Sequence, residues 1–109
     1  MTESEFNELS DAIFERIQQT LDASGLDIEC NLNGPVLELE FEDGSKVIIN
    51  RHAPNREIWL AAKSGGFHFS LQDGSWISKR DRSELFGRLS ELIKLGTNET
   101  VQFLPARSK

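Results

Sequence analysis

The chain has 109 residues, a formal net charge of −6 and a mean hydropathy of −0.40. That length suits one domain with one core, expected over residues 1–109 with a polar tail from about Pro105. The acidic balance sets aside nucleic acid and anionic membrane as partners and favours a basic protein surface or cations.

The spacing of Phe6, Leu9, Ile13, Ile17 and Leu21 predicts an amphipathic helix from about Glu3 to Ala23. Its opposite side carries Glu8, Asp11, Glu15 and Asp22, with Gln18 and Gln19 on the same stripe. Ser24-Gly25 ends it, Gly25 being suited to a left-handed cap. Leu26 to Leu32 then alternates apolar and polar, and Pro35 to Phe41 alternates again after Asn33-Gly34, a strong hairpin signal. A loop made of Asn33 and Gly34 sets Cys30 opposite Leu37 and Ile28 opposite Leu39. It also sets Glu29 opposite Glu38 and Asp27 opposite Glu40, like charges that repel across a ladder by up to about 1 kcal/mol. At the next turn, a three-residue loop Glu42-Asp43-Gly44 pairs Leu39 with Val47 and Glu40 with Lys46, and turns Asn50 toward the face of Trp59.

Three apolar runs follow, broken by turn residues. Val47-Ile48-Ile49-Asn50 ends at a loop with Pro54-Asn55, Glu57 to Lys63 ends at Ser64-Gly65-Gly66, and Phe67 to Leu71 alternates cleanly. Period two puts Ile58, Leu60 and Ala62 on one face, and Trp59, Ala61 and Lys63 on the other. Phe67, Phe69 and Leu71 likewise oppose His68 and Ser70. Asp73-Gly74 leads into a short strand around Trp76. A second helix is predicted from about Arg82 to Leu95, with Asp81 as N-cap, Glu84 three residues on, and Gly96 as its stop. Val101 and Phe103 are expected to pack as well.

The order helix, about six strands, helix reads as an α+β two-layer sandwich, with both helices on one face of an antiparallel sheet. Leu39, Leu60, Phe69, Ile13 and Leu89 are expected to meet in its core, and Trp59 to lie on the uncovered face. The lone Cys30 permits no intrachain disulfide, and the acidic start has neither a basic leader nor an apolar run. A cytoplasmic location is therefore expected, with no membrane span.

No enzyme constellation stands out. Gly65-Gly66 lacks the flanking residues of a phosphate loop, and His52 and His68 have no second ligand at zinc spacing. The carboxylates are the chemical feature, since Asp11, Glu15, Asp22, Asp27 and Glu29 suit a hard cation held weakly at an open surface. Residues alone leave calcium, magnesium, manganese and iron open. Trp59 is the second feature: a large indole among small and polar neighbours has the character of a binding anchor.

Asn50-Arg51, Ile58-Trp59-Leu60-Ala61 and Gly65-Gly66-Phe67-His68-Phe69, at this spacing, resemble the frataxin family and most closely its bacterial CyaY branch. The similarity runs from Ser4-Glu5-Phe6 to the helix around Leu85 to Ile93. The resemblance implies the same two-layer fold and an iron-binding regulatory protein of iron–sulfur cluster assembly. It implies weak binding of ferrous or ferric iron on a ridge matched here by Asp11, Glu15, Asp22, Asp27 and Glu29. It also implies docking on the cysteine desulfurase, with the scaffold protein nearby, through a surface that includes Asn50, Trp59, Lys63 and His68. A monomer is expected, with self-association open when iron binds. Ferroxidase or iron-storage activity on the same carboxylates is the alternative.

Overall fold

A computed structural model of the protein describes residues 1–103, so the expected tail from Pro105 lies outside the described residues. Helix α1 (Glu3–Ser24) opens on a capping box: the Thr2 hydroxyl accepts from the Glu5 N–H, and the Glu5 carboxylate accepts from the Thr2 N–H. Two donors that the first turn leaves without helical partners are thereby satisfied. Gly25 ends the helix at φ 74, as its position after the apolar stripe predicts. The buried stripe is Phe6, Ser10, Ile13, Phe14, Ile17 and Leu21. Leu9, expected on the apolar side of the helix, lies outside that stripe and is 40% exposed.

Six strands follow in antiparallel order along the sheet: β1 (Glu29–Asn33), β2 (Val36–Glu40), β3 (Lys46–His52), β4 (Glu57–Ala62), β5 (Gly65–Gln72) and β6 (Ser75–Ser78). Strand β1 begins three residues later than the alternation from Leu26 suggests. The Ile28 N–H bonds back to the Leu26 carbonyl, and this tight turn keeps Asp27 off the ladder. The β1–β2 register also differs by two residues. Asn33 pairs with Val36, so the loop is Gly34-Pro35, with Gly34 at φ 62 in its first position, where a II′-type turn needs glycine. Cys30 therefore faces Leu39, Leu32 faces Leu37, Glu29 faces Glu40 and Asn31 faces Glu38. An even shift preserves which side chains point inward and changes only which carboxylates meet. The next register agrees with expectation: Leu39 pairs with Val47, Glu40 with Lys46, and Gly44 takes φ 88 in the three-residue loop.

The turn between β4 and β5 is Lys63-Ser64, since Ala62 pairs with Gly65, and both glycines belong to β5. Helix α2 (Leu85–Thr97) begins three residues after the expected start. Its N-cap is Glu84, whose carboxylate accepts from the N–H groups of Phe86 and Gly87. Asp81 instead closes the preceding turn by accepting from the Ser83 N–H and hydroxyl. Nor does Gly96 end the helix. The left-handed residue is Asn98, at φ 65, two residues further on.

Leu37, Leu39, Val47, Ile49, Ile58, Leu60, Phe69 and Trp76 from the sheet share one buried core with both helices. Leu39, Leu60, Phe69, Ile13 and Leu89 meet there as expected, and the two-layer α+β arrangement holds. Arg16 ties the helical layer together, its guanidinium lying 3.8 Å from the Phe86 ring centroid and donating to the Phe103 carbonyl. No helix among the described residues is long and apolar enough to cross a membrane.

Candidate functional site

The sheet face turned away from the helices is organised by Trp59. Strand pairing sets Asn50 of β3 on one side of it and His68 of β5 on the other. His52, two residues beyond Asn50 on the same face, also reaches it. The result is a sandwich of three rings: His52 stacks on Trp59 at 4.1 Å between centroids and His68 at 4.3 Å, with planes within 10° of parallel. The indole Nε1 donates to Glu57 Oε1 at 2.8 Å. Trp59 is therefore half-buried, held by its neighbours on the sheet surface, whereas Trp76 is 6% exposed in the core. Flat rings with a fixed polar edge give large contact area with little side-chain freedom left to lose.

Of the residues expected beside Trp59, Asn50 and His68 are adjacent to it. Lys63 is displaced to the tip of the β4–β5 turn. There it lies near Asp43, whose carboxyl is held below its usual range by the Ser45 hydroxyl and N–H, with a smaller contribution from the Lys63 ammonium. His52 completes the stack, and the signal for it was the Asn50–Trp59 register, which places position 52 diagonally across from the indole.

Asp11, Glu15, Asp22, Asp27 and Glu29 are all exposed and run along α1, its exit and the start of β1. Asp11 is already engaged. It pairs with Arg51, which reaches out from β3, also donates to Ser10 Oγ at 3.1 Å, and lies over the Phe14 ring. At the other end Glu29 stands directly across from Glu40, and Lys46 pairs with Glu38 at 3.3 Å. Cys30 lies half-buried between these carboxylates and the core. Burial pushes its thiol pKa up, and the Asp22 carboxylate adds to the effect, so the thiol stays protonated and is a poor ligand or nucleophile. Among the described residues no three His, Cys, Asp or Glu side chains converge on a point that could hold a metal. The acidic edge is thus an extended field of separate carboxylates, suited to weak, exchangeable cations.

Residues 1–99 match the model of the frataxin-like domain. The chain belongs to the frataxin family. This frataxin is 53% identical over 103 residues to the iron–sulfur cluster assembly protein CyaY of Chromobacterium violaceum, covering 94% of this chain and 98% of that one. Its fold superposes on the frataxin of Psychromonas ingrahamii with a TM-score of 0.92 at 38% identity, covering 96% of this chain and all of the other. A trimeric frataxin from the yeast Saccharomyces cerevisiae, complexed with ferrous iron, matches at a TM-score of 0.68 and 26% identity over 87% of each chain. The two helices on one face of a six-stranded sheet are the frataxin fold, and they leave the Trp59 stack of this frataxin on the open face.

Proposed function

We propose that this chain acts in iron–sulfur cluster assembly as a docking and regulatory protein without catalytic chemistry of its own, resident in the cytoplasm. Its open sheet face binds the cysteine desulfurase, with the scaffold protein nearby, and modulates the desulfurase rate. The observation that carries this reading is the His52–Trp59–His68 stack, a pre-organised aromatic anchor on the face the helices leave uncovered. The names of the relatives support the pathway.

Iron is the cargo or signal in this reading. It binds weakly along Asp22, Asp27 and Glu29, with Glu40 brought beside Glu29 by the register and Glu15 extending the field along α1. Asp11 contributes charge, since a cation there must displace Arg51. Iron on this edge reduces its negative charge and so weakens its attraction for a basic partner surface. The alternative, ferroxidase or iron storage, needs a sheltered multi-carboxylate centre, and these carboxylates are exposed and spread over separate elements.

The deciding experiment measures binding of the cognate desulfurase to wild type and to Trp59→Ala, with and without ferrous iron. Loss of binding in the variant and a change with iron are expected. Equal binding by both proteins rejects the reading. Oxygen consumption above that of protein-free buffer favours the ferroxidase. Sedimentation in the same samples follows iron-dependent self-association, the behaviour to watch given the trimeric yeast relative.

A further inference from the structure

The open sheet face carries opposite charge at its two ends. At the β1–β2 end it presents Glu29, Glu38 and Glu40, partly offset by Lys46. At the β5–β6 end Lys79 and Arg80 stand at a cavity of about 370 Å3 that is also walled by Gly66, His68, Ser70 and Glu57. Neither cation is neutralised among the described residues. Arg80 donates only to the Gly66 carbonyl, at 3.3 Å, and Lys79 makes no ion pair. Glu57, the carboxylate on the cavity wall, accepts from the Trp59 indole instead. In a chain of net charge −6, two adjacent cations at a cavity whose one carboxylate pairs with neither of them favour an external anion. His68 joins this cavity to the docking face, being both its wall and the outer ring of the Trp59 stack.

We propose that this cavity receives an acidic segment of a protein partner, a carboxylate lying between Lys79 and Arg80 while a peptide N–H donates to Glu57. The inference rests on the reading of the Trp59 face as a docking surface, and adds the chemistry of what docks. Glu57 decides between a peptide and a free phosphate. A peptide brings neutral N–H donors beside its carboxylate, whereas phosphate brings a compact charge that the Glu57 carboxylate repels and that its own hydroxyl offsets only in part. The partner must then be acidic at the β5–β6 end and basic at the β1–β2 end, which fixes one in-plane orientation for the complex.

The test uses the intact protein with hexaglutamate, hexalysine and inorganic phosphate at matched ionic strength, following backbone amide shifts. Hexaglutamate should shift Gly66, His68, Ser70 and Lys79; the double variant Lys79→Gln/Arg80→Gln should lose those shifts and bind the desulfurase about tenfold more weakly. Equal shifts with phosphate make this a free-anion site and overturn the proposal, as does the absence of shifts with hexaglutamate. If Trp59→Ala weakens desulfurase binding and the double variant does not, the cavity assignment falls and the docking face stands. If hexaglutamate shifts these amides in wild type only while neither variant weakens desulfurase binding, the acidic-segment assignment stands and the desulfurase is not the partner.

Discussion

Gly96 lies flat against the ring of Phe41, so close that a β-carbon at position 96 would come within 2.5 Å of Phe41 Cδ2. Phe41 is 5% exposed, so its ring has little room to withdraw. Gly96 is therefore a packing residue inside α2 that lets the helix approach the sheet. Gly96→Ala should destabilise the fold by about 1 kcal/mol, because overpacking of about 1–3 kcal/mol exceeds the gain of up to about 1 kcal/mol in helix propensity. Gly87→Ala, in the same helix, is the control. Its new β-carbon meets nothing nearer than Glu84 Oε1 at 3.8 Å, so it should stabilise by up to about 1 kcal/mol. Denaturant midpoints measure both, and equal signs for the two would refute the packing argument.

The two tryptophans should separate stability from binding. Trp76 is 6% exposed and packs edge-on against Phe6 at 6.1 Å, so Trp76→Ala should cost about 3–5 kcal/mol. Trp59→Ala removes two surface stacks and should cost only about 1–2 kcal/mol of stability, yet about 2 kcal/mol or more of desulfurase affinity. Trp59→Phe keeps a ring between the histidines and loses only the bond to Glu57, so it should recover much of the binding. Calorimetric titration beside thermal unfolding distinguishes these outcomes; a Trp59→Ala protein that unfolds would show the indole to be structural.

Asp81 predicts an acid response of the link between β6 and α2. Its carboxyl accepts from the Ser83 hydroxyl at 2.7 Å and N–H at 3.1 Å, and Arg88 lies 2.8 Å away. These bonds, with a smaller contribution from Arg88, lower its pKa from 3.8 to about 2. A folded pKa below the unfolded one means the contribution is fully present above pH 3.8 and disappears as pH falls through about 2. Following the Ser83 amide by NMR should give a midpoint at about 2, and Asp81→Asn should abolish that transition. A midpoint at 3.8 would mean the carboxyl is not held.

Patterns of alternation and period fixed most of this architecture in advance, and the residues that escaped them show why. The β2–β3 register was legible because opposite charges on Glu40 and Lys46 and the αL demand at Gly44 agree. The β1–β2 register was not, because Asn33-Gly34 and Gly34-Pro35 are both plausible two-residue loops and the even shift between them leaves the same faces buried. Asp81 looked like a helix cap because Asp–x–x–Glu has the capping-box spacing, yet Arg82 at φ 65 bends the chain before the helix begins. At the site, Trp59 was visible as a misplaced indole among small side chains. The role of His52 was not, since it follows from the β3–β4 register across the Pro54-Asn55 loop, which no local pattern sets. The basic pair Lys79-Arg80 draws its meaning from the cavity that His68 and Glu57 complete, which no local pattern encodes.

Arg51 divides the acidic edge into an occupied part and an open part, and that division predicts where a cation goes. Asp11 is paired with Arg51, whereas Glu29 faces Glu40 across the β1–β2 ladder without a described ion pair on either carboxylate. A shared cation would relieve the mutual repulsion between Glu29 and Glu40, and Asp22 and Asp27 lie close by in sequence. A cobalt titration followed by NMR should therefore broaden residues around Asp27, Glu29 and Glu40 first and spare Asp11. The affinity should fall with added salt, because the site is open to solvent, and with acid, because only ionised carboxylates ligate. Asp27→Asn/Glu29→Gln should weaken it clearly, and Glu40→Gln should do so as well, which the register expected from Asn33-Gly34 would not require for Glu29. Arg51→Met should extend the broadening to Asp11 and Glu15, with a loss of about 0.5–1.5 kcal/mol in stability because buried Ser10 loses one donor while keeping its own bond to the Asn7 carbonyl. An unchanged isotherm in the Asp27→Asn/Glu29→Gln protein, or first broadening at His52, would reject this site.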